Sequence, residues 1–214
     1  WGRIIEGAGE DPFLGAAVAV AQVRGLQGDD LSAPDRIIAG PKHFVGYGAA
    51  LGGRDYDEVS LSDADLWNIY FPPFKAAIDA GAGNVMTAYM DLNGIPATGS
   101  PWLFTEVLRE MWDFDGFVVS DANAVRNLFT HGFAADLTDA GARAVTAGVD
   151  LEMAITDPAY GHLPEAFESA AVSEDTIDAS VRRVLEAKRR LGLFDAPYVD
   201  EDRAREVLAD PAHR

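Results

Sequence analysis

The sequence predicts an α/β fold with parallel strands, and three observations predict it. Short apolar runs of strand length alternate with helical patterns of ten or more residues, as in βαβ units whose sheet is buried on both faces. Helix-start and helix-stop residues punctuate the helical patterns. Polar residues stand just past the ends of the apolar runs, where parallel α/β folds build their active sites.

The elements follow along the chain. Asp11 is placed as an N-cap and Pro12 at the first helical position, where its missing N–H costs nothing, so a helix runs from about Pro12 to Gln27. Glu10 and Asp11 then face the positive end of its dipole. After a polar turn, Arg36 to Gly40 reads as a buried strand that runs into Pro41-Lys42-His43 and a glycine-rich loop, Gly46 to Asp57. Ser62, with an acid three residues on, starts a helix that Leu66, Ile69, Tyr70, Phe74 and Ile78 carry to Gly81, broken or kinked at Pro72-Pro73. Asn84 to Tyr89 is the second strand. A helix opening at Ser100-Pro101 carries Leu103, Val107, Leu108 and Met111, and Gly116 to Ser120 is the third strand. An alanine-rich helix from Leu137 stops at Gly148, and Val149 to Met153 is the fourth strand. Ser173 caps the last strong helix, with Ile177, Val181, Val184, Leu185 and Leu191 at helical spacing before Gly192. Four strands are half of an eight-stranded (β/α) barrel and enough for a doubly wound sheet, so counting does not choose between them.

Composition narrows the function classes. The 214 residues carry 17 Lys+Arg against 35 Asp+Glu, a net charge of −18, with no basic run, so phosphate backbones are repelled. No stretch of about 18 apolar residues is available to cross a bilayer. Neither nucleic acid nor a membrane is expected as a partner. The absence of cysteine removes disulfides, thiolate nucleophiles and Cys-ligated zinc, and leaves the compartment open. There is no Gly-x-Ser-x-Gly elbow, Walker lysine loop or His-Glu-x-x-His helix. Gly7-Ala8-Gly9 and Gly46-Tyr47-Gly48 lack the third glycine of a dinucleotide fingerprint, and His131, His162 and His213 lack metal-ligand spacing. No metal or organic cofactor is expected.

The polar residues at the strand ends are Lys42-His43, Tyr89, Ser120-Asp121 and Glu152. An ionisable group beside a buried strand must be solvated by specific partners or serve a reaction, which singles out Asp121; the alternative is that Ser120-Asp121 caps a helix beginning at Ala122. Lys42 could form a Schiff base, as in a lyase or aldolase, or donate hydrogen bonds to a sugar or phosphate beside His43. Arg54-Asp55 reads as an internal salt bridge, Glu152 as a hydrogen-bonded wall residue or a site residue, and Trp67, Trp102 and Trp112 as core.

Five ordered motifs, taken together, resemble glycoside hydrolase family 3, in its bacterial β-glucosidase and β-xylosidase branch. They are Trp1-Gly2-Arg3 with Gly9-Glu10-Asp11-Pro12-Phe13-Leu14; Lys42 through Gly48; Gly52-Gly53-Arg54-Asp55-Tyr56; Val85 through Tyr89 with Asn93-Gly94-Ile95-Pro96-Ala97; and Gly116 through Ala122. The resemblance implies a TIM-type (β/α)8 barrel of which this chain is the central part, residues 1–194, followed by an exit segment, 195–214, toward a C-terminal α/β sandwich domain that lies outside the sequence. It implies a retaining β-glycosidase acting on terminal β-D-glucosides or β-D-xylosides through a covalent glycosyl-aspartate on Asp121. By the same resemblance Arg3, Lys42, His43, Arg54, Met86 and Tyr89 line the subsite for the non-reducing sugar. Gly48 to Asp57 contains no histidine, which sets the chain apart from the branch with a His-Asp acid/base pair; the acid/base is then a glutamate of the C-terminal domain, and the 214 residues alone are expected to turn over poorly. Ala122 stands where many relatives carry a tryptophan platform for the leaving group. Oligomeric state is left open, and a sugar-binding remnant without catalysis is the non-enzymatic alternative.

Overall fold

The computed structural model describes residues Gly2 to His213; Trp1, which opens the first motif, lies outside them. A 3-10 turn, Gly2–Glu6, precedes α1 (Pro12–Gln27), which starts and stops where its signals place it. Asp11 accepts from the N–H groups of Phe13 at 2.8 Å and Leu14 at 3.4 Å, satisfying two donors that the first turn leaves unpaired.

Four parallel backbone segments form one wall, in the same order in space as in the chain. At its centre β1 (Asn84–Met86) pairs with β4 (Phe117–Val119), Val85 opposite Val118. Residues 39–44 flank β1: the carbonyls of Ala39, Pro41 and Phe44 accept from Asn84, Met86 and Ala88 at 3.3, 3.1 and 3.0 Å. Residues 150–153 flank β4, with the Ser120 N–H donating to the Leu151 carbonyl at 2.8 Å. Sequential order with a helical crossover at each step is the order of a barrel wall, whereas a doubly wound sheet reverses direction partway. The wall settles what counting strands leaves open.

Neither outer segment is the regular strand that its apolar run predicts. Pro41 has no N–H, and the Ala39 N–H is taken by Gln27 Oε1 at 3.0 Å, so this segment donates nothing to β1 until Phe44 reaches the Met86 carbonyl at 2.8 Å. On the far side, Asp150 and Leu151 both aim their N–H groups at the Val118 carbonyl, and Ser120 Oγ takes the Met153 N–H at 2.8 Å. A single bridge, Val119 to Leu151, is left. A short antiparallel hairpin, β2 (Asp91–Leu92) and β3 (Ile95–Pro96), follows β1 and escapes the strand count. Its turn is Asn93-Gly94, both at positive φ, which is a hairpin signal in the sequence itself.

The proline pair does not break its helix. Ser62 caps the single turn α2 (Asp63–Asp65), which continues through a π-helical stretch, Leu66–Tyr70, into α3 (Phe71–Asp79). Phe71 donates five residues back to Leu66, and this wider pairing delivers Pro72 and Pro73 into the first turn of α3, where missing donors cost little. A second π-type helix, Trp102–Met111, buries Leu103, Phe104, Val107 and Leu108, but Met111 points outward at 58% exposure, against its expected place on the apolar face. Helices α4 (Ala124–Thr130), α5 (Leu137–Ala147), α6 (Leu163–Glu168) and α7 (Glu174–Arg190) complete the outer layer; Gly148 ends α5 at φ 111° and Ser173 caps α7, as expected. Beyond Gly192, α8 (Glu201–Ala209) buries no residue.

Phe44 is the centre of the core. Its ring lies 5.7, 5.1, 6.3 and 5.9 Å from those of Phe71, Phe74, Phe104 and Trp112, stacked on the first, tilted to Phe104 and edge-on to the other two. This cluster fixes the residues around Lys42-His43 from below. Trp112 is buried as expected, while Trp67 lies at the cluster's rim, 41% exposed.

Candidate active site

Asp121 leaves the wall at the carboxyl end of β4, and the end of the first segment brings His43 to meet it. His43 Nε2 lies 3.1 Å from Asp121 Oδ2, the imidazole buried at 7% exposure and the carboxylate part-buried at 14%. Tyr89, from the end of β1, stands close enough to the same carboxylate to lower its pKa, and the Ala122 N–H donates to Oδ1 at 2.7 Å. Beneath them, Thr87 Oγ1 contacts Thr98 Oγ1 at 2.8 Å and accepts the Asp121 N–H at 3.4 Å. The peptide bonds Lys42-His43 and Phe44-Val45 are cis. Three neighbouring strand ends thus converge on one carboxylate.

The electrostatics keep that carboxylate ionised. Burial pushes the Asp121 pKa up, but the hydrogen bonds from His43, Ala122 and Tyr89 outweigh it and hold the group below the usual aspartate value. The Tyr89 phenol moves the opposite way, raised by burial and by the adjacent Asp121. Arg3 Nη2 also lies 3.1 Å from His43 Nε2. One ring nitrogen cannot serve both neighbours: carrying a proton it donates to Asp121, and without one it accepts from Arg3.

Two further residues tie the site together. Glu6 forms a two-pronged pair with Arg3, at 2.8 and 3.1 Å, and stands 3.4 Å from Lys42 Nζ. Tyr47 packs 4.9 Å from His43, lies under the Arg3 guanidinium at 5.5 Å, and hydrogen-bonds through its hydroxyl to Asp55. Burial, then Asp55, raises the Tyr47 pKa. Tyr56 packs on Tyr89 at 4.8 Å. Sequence reading singles out none of Glu6, Tyr47 and Tyr56 for the site. The signal for Glu6 is its i+3 spacing from Arg3; the Tyr47 to Asp55 pairing has no periodic signal, because it closes an irregular loop.

Of the residues expected to share a site, Arg3, Lys42, His43, Tyr89 and Asp121 are brought together. Met86 is half-buried on β1, opposite Val119. Arg54 is exposed on the glycine-rich loop and makes no ion pair with Asp55, whose carboxylate instead receives Tyr47 and the Tyr56 N–H. The salt bridge read at Arg54-Asp55 is therefore not formed. Nor does Ser120-Asp121 cap a helix at Ala122: α4 begins at Ala124, with Asn123 at its cap position. Ser120 Oγ holds Met153 instead. Glu152 turns away from the site and accepts from Ala159 and Tyr160 at 3.1 and 2.7 Å, the wall role of its two readings. His131 pairs with Asp91 and His162 with Asp157; no group of three or more His, Asp or Glu residues able to hold a metal occurs among the described residues.

A parallel wall that gathers cations, phenols and an imidazole around an ionised carboxylate at its carboxyl end has its polar groups where (β/α) barrels place their active sites. The chain matches the glycosyl hydrolase family 3 N terminal domain over residues 1–187 and belongs to that family. It is 43% identical over 199 residues to the periplasmic beta-glucosidase of Salmonella typhimurium, covering 92% of this chain and 26% of that protein. It is 38% identical over 206 residues to a beta-xylosidase of Formosa agariphila, covering 92% and 28%. Among solved structures, the beta-glucosidase from Listeria innocua in complex with glucose superposes with a TM-score of 0.89 at 42% identity, covering 92% of this chain and 28% of that one. The chain spans about a quarter of the length of these curated relatives.

Proposed function

We propose that this chain carries the nucleophile and most of the sugar-binding surface of a retaining β-glycosidase that acts on terminal β-D-glucosides or β-D-xylosides. One observation carries the reading: Asp121 is an ionised, part-buried carboxylate at a strand end, 3.1 Å from His43 and beside Tyr89. Family membership and relatives named for beta-glucosidase and beta-xylosidase activity support it. A carboxylate oxygen of Asp121 attacks the anomeric carbon, the bond to the leaving oxygen breaks as a general acid supplied from beyond these residues protonates it, and a glycosyl ester forms that water then hydrolyses. Arg3, Lys42 and His43 supply donors for ring hydroxyls, Tyr89 orients the carboxylate, and Met86 and Arg54 complete the lining of the subsite. Contacts that strengthen as the ring becomes oxocarbenium-like raise rate as well as binding.

Lys42 favours this role over a Schiff base. It lies exposed beside the carboxylate of Glu6, not in the apolar pocket that activates an amine. A 2-deoxy-2-fluoro-β-D-glucosyl fluoride tests the proposal directly, since fluoride departs without a proton donor. Mass spectrometry of the labelled chain is expected to place one sugar on Asp121 and none on the Asp121→Asn variant. A sugar ester on any other side chain overturns the assignment.

A further inference from the structure

Arg3 and Lys42 are two like charges on the same rim, and both face a single carboxylate, that of Glu6. The pairing with Arg3 is two-pronged, the geometry that fixes a guanidinium in orientation as well as position. Arg3 has a second anion within reach. Its Nη2 already touches His43 Nε2 at 3.1 Å, and that nitrogen is 3.1 Å from Asp121 Oδ2. For a guanidinium released from Glu6, Asp121 is the next carboxylate along this line of contacts. A guanidinium paired there would block the carboxylate that must stay free to attack.

We propose that Glu6 is a positioning residue, one that holds Arg3 and Lys42 facing the sugar pocket and keeps Arg3 from pairing with the nucleophile. Glu6 is suited to this. Its contact with Arg3, joined by Lys42, lowers its pKa to about 2, so it carries its charge throughout the working range of the other groups. Its exposure makes the pairing worth little to stability, because solvent screens ion pairs at the surface. The contact therefore acts on where the cations point. This inference rests on the glycosidase reading for its purpose, and on the geometry alone for its content.

The test compares the wild-type chain with Glu6→Gln, Glu6→Asp and Glu10→Gln, the last an exposed acid of the same segment. Nuclear magnetic resonance reports the exchange rate of the Arg3 Nε–H and the titration midpoint of the Asp121 carboxyl. The groups facing that carboxyl are His43, Tyr89 and, through His43, Arg3. In Glu6→Gln the Arg3 Nε–H exchanges about fivefold faster, as befits loss of a screened two-pronged pair, and the Asp121 midpoint falls by about one unit as a cation arrives. Glu6→Asp restores part of both, and Glu10→Gln matches wild type. Unchanged Arg3 exchange, or an unchanged Asp121 midpoint, in Glu6→Gln overturns the proposal. Titration with glucose separates it from the functional reading: both responses present, with no sugar bound by any form, supports the role of Glu6 and counts against the glycosidase.

Discussion

Asp150 and Arg109 meet at 2.7 Å below the wall, a carboxylate with no solvent exposure against a guanidinium from the helix Trp102–Met111. The other oxygen receives Arg183 of α7 at 2.8 Å, and the Val118 N–H of β4 donates to the first at 2.8 Å. Arg109 also reaches the Gly116 carbonyl at 3.1 Å, although its Nε finds no partner. One acid thus joins the fourth segment, the third strand and two outer helices. Asp150→Asn leaves the part-buried Arg109 and Arg183 without their counter-charge and is expected to cost about 3–5 kcal/mol, whereas Arg183→Met, at a half-exposed site, costs about 1 kcal/mol. Urea unfolding of both variants checks the ranking; equal losses would show that the clamp is not centred on Asp150.

Gly116 enters β4 where the wall leaves no room for a side chain. A Cβ there would lie 2.4 Å from the Gly83 carbonyl oxygen and 2.6 Å from the Phe114 ring. The first obstacle is backbone and cannot turn aside. Gly116→Ala should destabilise the fold by about 1–3 kcal/mol, the usual cost of overpacking. Gly48→Ala, at a position with open space around it, serves as the control in thermal unfolding.

The Tyr47 to Asp55 hydrogen bond closes the glycine-rich loop over the site. Removing it in Tyr47→Phe should cost about 1 kcal/mol and free the loop while leaving the ring against His43. Limited proteolysis is expected to cut the variant faster within residues 48–57. A cleavage rate equal to wild type would place the loop's restraint elsewhere.

Asp121 contributes a pH-dependent share of stability with a definite sign. Its folded pKa lies below the usual value, so the contribution is fully present above the unfolded aspartate pKa of about 3.9 and is lost as pH falls through the lower, folded value. The stability of wild type relative to Asp121→Asn should therefore be constant from pH 5 to 7 and decline toward pH 3, by a modest amount. His43→Ala removes the largest lowering influence and should shrink the decline. Denaturant midpoints at both ends of this range decide the matter.

Much of this was legible in the residues. Asp11-Pro12, Ser62, Ser173 and Gly148 mark helix ends by local chemistry, and the helices α1, α2, α5 and α7 start or stop there. Lys42-His43, Tyr89 and Asp121 fall at strand ends because apolar runs stop where a buried wall meets solvent. Other features were not legible. Pro72-Pro73 reads as a break or a kink by local rules, and the π-helical stretch before it is what lets the helix run on unbroken. The outer segments read as strands, yet Gln27, far away in the chain, takes the donor that one of them needs.

By itself the sequence determined the succession of helices and buried segments, the family, and the set of strand-end groups able to do chemistry. Spacing and side-chain type carry that information, because caps, turns and apolar periodicity act over a few residues. Only the tertiary structure decided which groups face one another: that His43 and not Arg54 stands beside Asp121, that Asp55 holds Tyr47, and that Glu6 restrains two cations. Contacts between chain-distant residues depend on how the wall stacks its segments, and local signals do not encode that stacking.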